Sequence, residues 1–245
     1  MIPRVVYQTY ASASSLPPAV VANIEHLKSL NPGWDHVLFD DAGIEDFIRK
    51  EYKPQYLQAY RQINPAYGAA RADFFRYLLM YRRGGVYLDI KSTTTQPLDQ
   101  TLHRDDRYIL GHWPNRKDAR FIDWGLKPEL PKHPRGEFQN WHIICEPLHP
   151  FLHNTIELVM YNIRNYERDV IGIGRQGVLR TTGPIAYTQA ITPLLHSHPH
   201  RLAGTHLDLG LQYNLDDAKG NVLSHLKFFK VHYTYLKEPV VLPNQ

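Results

Sequence analysis

A helix-period run that stops at two glycines and restarts as a short apolar strand ending in aspartate restricts this chain more than any other feature. Phe74, Leu78 and Tyr81 recur at helical spacing within Pro65-to-Arg83, and Gly84-Gly85 follows as the expected stop. Val86-to-Ile90 then reads as a buried strand, with Asp89 at its carboxyl end ahead of the polar loop Lys91-Ser92-Thr93-Thr94-Thr95. In α/β proteins the carboxyl ends of parallel strands are where ligands bind and chemistry is placed.

The residues upstream give that strand neighbours. Arg4-to-Thr9 reads as a first buried strand, and Leu16-to-Leu30 as an amphipathic helix with Val20, Ile24, Leu27 and Leu30 on one face, stopped by Asn31-Pro32-Gly33. Trp34-to-Phe39 is a second strand, and Asp40-Asp41 caps a short helix carrying Ile44, Phe47 and Ile48. Pro54-to-Gln62 forms a further helix. This alternation predicts an α/β fold with a mostly parallel central sheet flanked by helices, and places Gln8, Thr9 and Asp40 at the border of a cleft.

The second half is less regular. Arg107-to-Trp113, Trp141-to-Glu146 and Leu226-to-His232 look like strands, and His149-to-Tyr166 and Pro184-to-Leu195 like helices. The long segment from Pro114 to Asn140 has the character of a binding loop, where acceptor recognition is expected.

With 245 residues, 43% of them hydrophobic, the chain can bury one sizeable core, and a single unit spanning 1–245 is expected. Cys145 is the only cysteine, so no disulfide forms within the chain, and a reducing, cytoplasmic setting is the simpler expectation. Flanked by Ile143, Ile144 and Pro147, it reads as a buried structural thiol. Met1-to-Tyr7 lacks a signal peptide's apolar segment, and no apolar run approaches the roughly 20 residues of a membrane span. At most peripheral membrane association is expected. The net charge of +4 is scattered, with none of the basic runs that nucleic-acid binding requires.

Asp73 and Arg76 lie three apart and share a helix face, which by itself predicts either a surface ion pair or a paired functional group. His196, His198 and His200 alternate along a proline-containing loop and are expected to be solvated rather than metal ligands.

Four blocks carry a family resemblance. They are Ile2-Pro3-Arg4-Val5-Val6-Tyr7-Gln8-Thr9-Tyr10; Asn31-Pro32-Gly33-Trp34 with Phe39-Asp40-Asp41; Ala70-Arg71-Ala72-Asp73-Phe74-Phe75-Arg76-Tyr77 running into Gly84-to-Asp89; and Thr182-Gly183-Pro184. Together they resemble glycosyltransferase family 32, and through it the glucosylating-toxin and family 8 enzymes of the GT-A nucleotide-sugar fold. The likeness is strongest over the first hundred residues, which become the expected donor half, with 101–245 as the acceptor half.

The resemblance implies transfer of a sugar from a nucleotide diphosphate, UDP by family habit, to a glycan, polysaccharide or lipid-linked acceptor with anomeric retention. Carried over by position, Asp73 and Arg76 would hold the donor sugar and diphosphate, Asn140 or Gln139 would touch the sugar near C1, and Gln8, Thr9 and Asp40 would border the nucleotide. No catalytic base is implied. Asp89 would be the first aspartate of a D-x-D pair gripping Mn²⁺ or Mg²⁺, and His232 would be a further metal or phosphate ligand.

The departure is Lys91, which stands where the second aspartate belongs. Either it turns away from a metal held by Asp89 and other ligands, or its ammonium bonds the diphosphate directly. A non-catalytic sugar-nucleotide or glycan-binding module is the competing reading. A metal nuclease using Asp89 and Asp99 finds no support in Lys91 or the scattered charge.

Overall fold

The computed structural model describes residues 1–115, 121–130, 133, 135–216 and 233–243. Strand β1 (Val5–Thr9), helix α1 (Pro18–Leu30) and strand β2 (Asp35–Phe39) open the chain, followed by α2 (Asp41–Glu51), α3 (Pro54–Gln62), α4 (Gly68–Arg83) and β3 (Gly85–Leu88). Then come β4 (Thr93–Thr94), α5 (Leu98–Thr101), β5 (Tyr108–Leu110), β6 (His142–Cys145), α6 (Pro150–Arg164), α7 (Arg168–Ile171), α8 (Gly174–Thr181), α9 (Pro184–Ile191), β7 (Arg201–Leu202) and β8 (Leu211–Gln212).

Among the described residues the main sheet has the order β2-β1-β3-β6-β5-β7. β1 pairs parallel to β2 and to β3, β7 pairs parallel to β5, and β6 runs antiparallel to both of its neighbours. Five strands therefore point one way and β6 alone is reversed, which is the mostly parallel sheet expected. Thr93↔Gln212 and Thr94↔Leu211 form a separate small antiparallel ladder beside it.

Strand periodicity sorts the core into two layers. Tyr7, Tyr87, Ile143 and Cys145 face one side, where α4 and α6 supply Phe74, Leu78, Phe151 and Ile156. Val6, Val86, Leu88 and Ile144 face the other, against Leu27, Trp113, Trp141 and Leu211. Six consecutive residues of α4, Phe75 to Met80, are at most 4% exposed, so this helix is enclosed all round rather than on one stripe. Cys145 is buried, and burial pushes its thiol up, as befits a packing group.

Both glycines after α4 are required. Gly84 has φ of +61° and Gly85 of +98°, and an added Cβ would lie 2.6 Å from the Pro147 nitrogen at the first and 2.8 Å from the Val5 carbonyl oxygen at the second. The turn thus drops β3 directly against β1.

Two sequence expectations change in extent. The last expected helix leaves α-geometry after Ile191 and closes as a 3-10 turn, Thr192–Leu194, because Pro193 cannot donate the next helical hydrogen bond. The expected strand 107–113 is confined to β5, followed at once by Gly111, where Thr205 and Gln139 crowd the backbone too closely for any side chain. The strand expected at 226–232 lies outside the described residues.

Candidate functional site

Asp73 and Arg76 sit one helical turn apart on α4, with side chains 8% and 5% exposed. Their ion pair is 3.4 Å long, and the shorter contact of Arg76 is with Asp89, at 2.8 Å, just past the end of β3. The guanidinium also donates to the Asn140 carbonyl oxygen at 2.6 Å and lies over the Tyr87 ring at 4.7 Å from its centroid. A guanidinium so surrounded is held on every side.

Asp73 is held as tightly. Its two carboxylate oxygens accept from Asn140 Nδ2 at 3.0 Å and from Thr182 Oγ1 at 3.1 Å. The same Asn140 amide donates to the Tyr77 hydroxyl, which in turn donates to the Thr182 carbonyl oxygen. Burial nevertheless pushes the Asp73 carboxyl up to about 7, the nearby Arg76 and the two hydrogen bonds only partly offsetting it. For Arg76, burial opposes the charge, but Asp89 and Asp73 outweigh it and keep the guanidinium fully cationic.

The reversal of β6 explains how Asn140 reaches this place. An antiparallel strand starts where its neighbours end, so the residues ahead of β6 meet the residues after β3, and Asp89 N–H donates to the Trp141 carbonyl oxygen at 2.8 Å. The Asp89 side chain is 23% exposed, the most open member of an otherwise closed network.

Lys91 lies beyond the Asp89 turn with its ammonium 3.8 Å from the centre of the Tyr213 ring. Burial, reinforced by Arg76 and opposed by Asp89, pulls it down to about 8. It stands two residues beyond Asp89, in the turn that follows β3.

The other expected residues are engaged with the protein. The Gln8 amide donates to the Asp89 carbonyl oxygen at 3.2 Å and its oxygen is 3.0 Å from His36 Nε2, linking β1 to β2 and to the residue that follows β3. The Thr9 hydroxyl is 3.1 Å from that of Tyr87, and Asp40 accepts from Gly43 N–H as the N-cap of α2. Gln139 turns elsewhere: its side-chain oxygen accepts from Thr205 and its N–H donates to Gly111. His232 lies outside the described residues.

Sequence reasoning missed Thr182 as a partner of Asp73, although its Thr-Gly-Pro motif was visible, and missed Tyr213 altogether. Tyr213 belongs to an aromatic group with Trp113, Phe121, Trp124 and Trp141, assembled from three separated segments that share no periodicity. Surface cavities of about 540 Å³ beside α3 and about 400 Å³ beside α8 are lined by none of the network residues. The buried charge, rather than cavity size, marks the site.

Residues 17–108, which include α4, β3 and Asp89, match the family described as "Glycosyltransferase sugar-binding region containing DXD motif". Over that stretch the chain is similar to a glycosyltransferase sugar-binding region. Over 102 residues the chain is 32% identical to inositol phosphoceramide mannosyltransferase 3 of Schizosaccharomyces pombe, covering 42% of this chain and 28% of that protein. To the initiation-specific alpha-1,6-mannosyltransferase of Candida albicans it is 25% identical, covering 77% of this chain and 52% of the relative. The chain thus spans about half or less of these relatives.

The fold is that of GT-A glycosyltransferase domains. The PaToxG glycosyltransferase superposes with a TM-score of 0.55 at 15% identity, covering 80% of this chain and 70% of that one. The UDP-bound glycosyltransferase domain from the YGT toxin gives 0.54 at 8% identity, covering 83% and 80%.

Glycosyltransferases of the DXD type commonly use a divalent cation. The residues here do not fit one. Asp89 is engaged by Arg76, Lys91 brings a cation to the second position of the motif, and among the described residues no cluster of three or more His, Cys, Asp or Glu could hold a metal ion.

Proposed function

We propose that this chain transfers a hexose from a nucleoside diphosphate donor to an acceptor hydroxyl, with retention of anomeric configuration. The observation that carries this reading is the half-open Asp89 carboxylate at the carboxyl end of β3, backed by the buried Arg76, Asp73 and Asn140 inside the matched segment. Asp89 and Lys91 face the donor, while Arg76 holds Asp89 from behind and Asp73 and the Asn140 carbonyl fix the orientation of Arg76. The first hundred residues serve the donor and the remainder the acceptor. Mannose is the sugar named for the two yeast relatives, an inositol phosphoceramide mannosyltransferase and an initiation-specific alpha-1,6-mannosyltransferase, which supports a glycan or lipid-linked hydroxyl as the acceptor class.

Incubation of the purified chain with a panel of UDP- and GDP-sugars, followed by chromatography of the nucleotide and proton NMR of the anomer formed, tests the reading. Release of nucleotide from one donor, abolished in Asp89→Ala, is expected. Binding of a donor with no turnover across the panel and a range of sugar acceptors would favour the non-catalytic module instead, and neither binding nor turnover would refute the reading.

A further inference from the structure

A transferred sugar leaves behind a diphosphate, and the charge that develops on it must be met by fixed positive charge in the site. When the C1–O bond breaks, its electron pair passes to the phosphate oxygen, the acceptor oxygen bonds to C1, and the acceptor proton leaves to the phosphate or to water. In a D-x-D site a second carboxylate and a divalent cation together bring one net positive charge to that oxygen. Lys91 alone brings the same one. The substitution is therefore neutral in formal charge only when the metal is absent, and with a metal added the site would carry two cationic centres facing each other.

The local geometry agrees with the first arrangement. Arg76 already engages Asp89 Oδ1 at 2.8 Å, which offsets the negative charge a metal would meet and leaves it a single carboxylate oxygen. The Lys91 ammonium is parked 3.8 Å over the Tyr213 ring, against an electron-rich face that supports a cation without competing for its hydrogen bonds. Tyr213 follows β8, whose pairing with β4 braces the loop after Asp89, and Ser92 Oγ donates to the Tyr213 carbonyl oxygen at 2.8 Å. Asn23 on α1 donates to the Ser92 carbonyl oxygen at 2.9 Å, holding the same turn from the opposite side. Lys91 thus projects from a turn fixed on two sides and rests on an aromatic platform, an arrangement suited to a permanent cation rather than a side chain displaced from a metal.

We propose that Lys91 binds the donor diphosphate directly and replaces the divalent cation, with Arg76 buried behind Asp89, so that nucleotide binding by this chain is independent of metal. This rests on reading the site as a nucleotide-sugar site. A lysine ammonium acts on phosphate as a compact point charge with three donors, so arginine at this position should preserve binding and an uncharged side chain of similar length should not.

The test is calorimetric titration of UDP and of GDP into the intact chain, in excess EDTA and in excess Mn²⁺. The expected result is binding of one nucleotide in EDTA, with an affinity that Mn²⁺ changes by no more than about twofold, since a metal adds no ligand set here. Lys91→Met should weaken it by ~10-fold or more, the cost of a charge-assisted contact, while Lys91→Arg retains most of it. Lys91→Asp should bind poorly in EDTA and recover with Mn²⁺. Unchanged thermal midpoints of the nucleotide-free variants would show that Lys91 acts on the ligand and not on the fold.

Wild-type binding that disappears in EDTA and returns with Mn²⁺, or Lys91→Met binding as tightly as wild type, would overturn the inference while leaving the donor site standing. Absence of binding by either nucleotide in both conditions would overturn the donor-site reading, and this inference with it.

Discussion

Replacing Arg76 by methionine tests whether the buried charge network is a single unit. Methionine keeps much of the arginine stem, so the change removes the guanidinium with little loss of packing volume. What remains is the Asp73 carboxylate, 8% exposed with only Asn140 and Thr182 as donors, and Asp89, 23% exposed and deprived of its 2.8 Å partner. Removing one member of a buried ion pair typically costs about 3–5 kcal/mol, because the other charge stays buried without compensation. In a chain of this size each kcal/mol lowers the melting temperature by roughly 2–4 °C, so a fall of roughly 6–20 °C at neutral pH is expected.

The pH dependence sharpens the test. Asp73 already titrates near 7 in the folded chain, raised by burial above the carboxylate's usual value, so the folded state binds more protons than the unfolded one in the interval below 7. Stability attributable to this group is therefore greatest at low pH and declines as pH rises through the folded value. Losing Arg76 removes the charge that opposes that rise, and the folded value climbs further. The deficit of Arg76→Met relative to wild type should thus be largest near pH 8 and shrink steadily toward pH 5, measured by urea unfolding at each pH. A deficit below about 1 kcal/mol at pH 8, the range of an exposed ion pair, or one that does not narrow on acidification, would refute the view that Arg76 compensates a buried carboxylate.

Thr182→Val should cost about 1–3 kcal/mol by withdrawing the donor from Asp73 Oδ2, whereas Thr182→Ser should stay close to wild type, both read by urea unfolding; equal effects would place the contribution in the methyl group instead. Acid should destabilise the wild-type chain through its histidines. Burial, the leading cause in each case, pulls His36, His112 and His149 down to about 4 and His142 to about 3, so below about pH 6.5 the unfolded chain takes up protons that the folded chain refuses. Unfolding free energy should accordingly fall between pH 6.5 and 4, and a flat profile over that interval would show that these rings are hydrated.

The elements longest in sequence were the most legible. β1, α1, β2 and α4 have enough residues for a period to show, and Gly84-Gly85 announces its turn because no other residue fits the two positive φ values and the contacts at 2.6 and 2.8 Å. β4, β7 and β8 are two residues each, too short for any alternation, and their pairing depends on partners about a hundred residues away. The same distance hides much of the site. Asp73, Arg76 and Asp89 fall in one stretch of sequence and were grouped from it, but Thr182 joins them from more than a hundred residues on, and Gln139 and Asn140, adjacent in sequence, point to different partners. Side-chain direction on an irregular segment has no periodicity to reveal it.

The reversed strand has one further consequence. β5 ends and β6 begins at the edge of the sheet where Asp89 emerges, so residues 111–141 leave and return at a single rim. A loop whose two ends are already held together by a strand pair can gain or lose residues cheaply, since doubling its length adds only about 0.6 kcal/mol of closure entropy. Insertions and deletions there would leave the register of the sheet and the network at its end undisturbed. The architecture therefore separates a connection whose length is loosely tied from the residues it returns to, Asn140 and Trp141, which are held by Asp73 and Asp89.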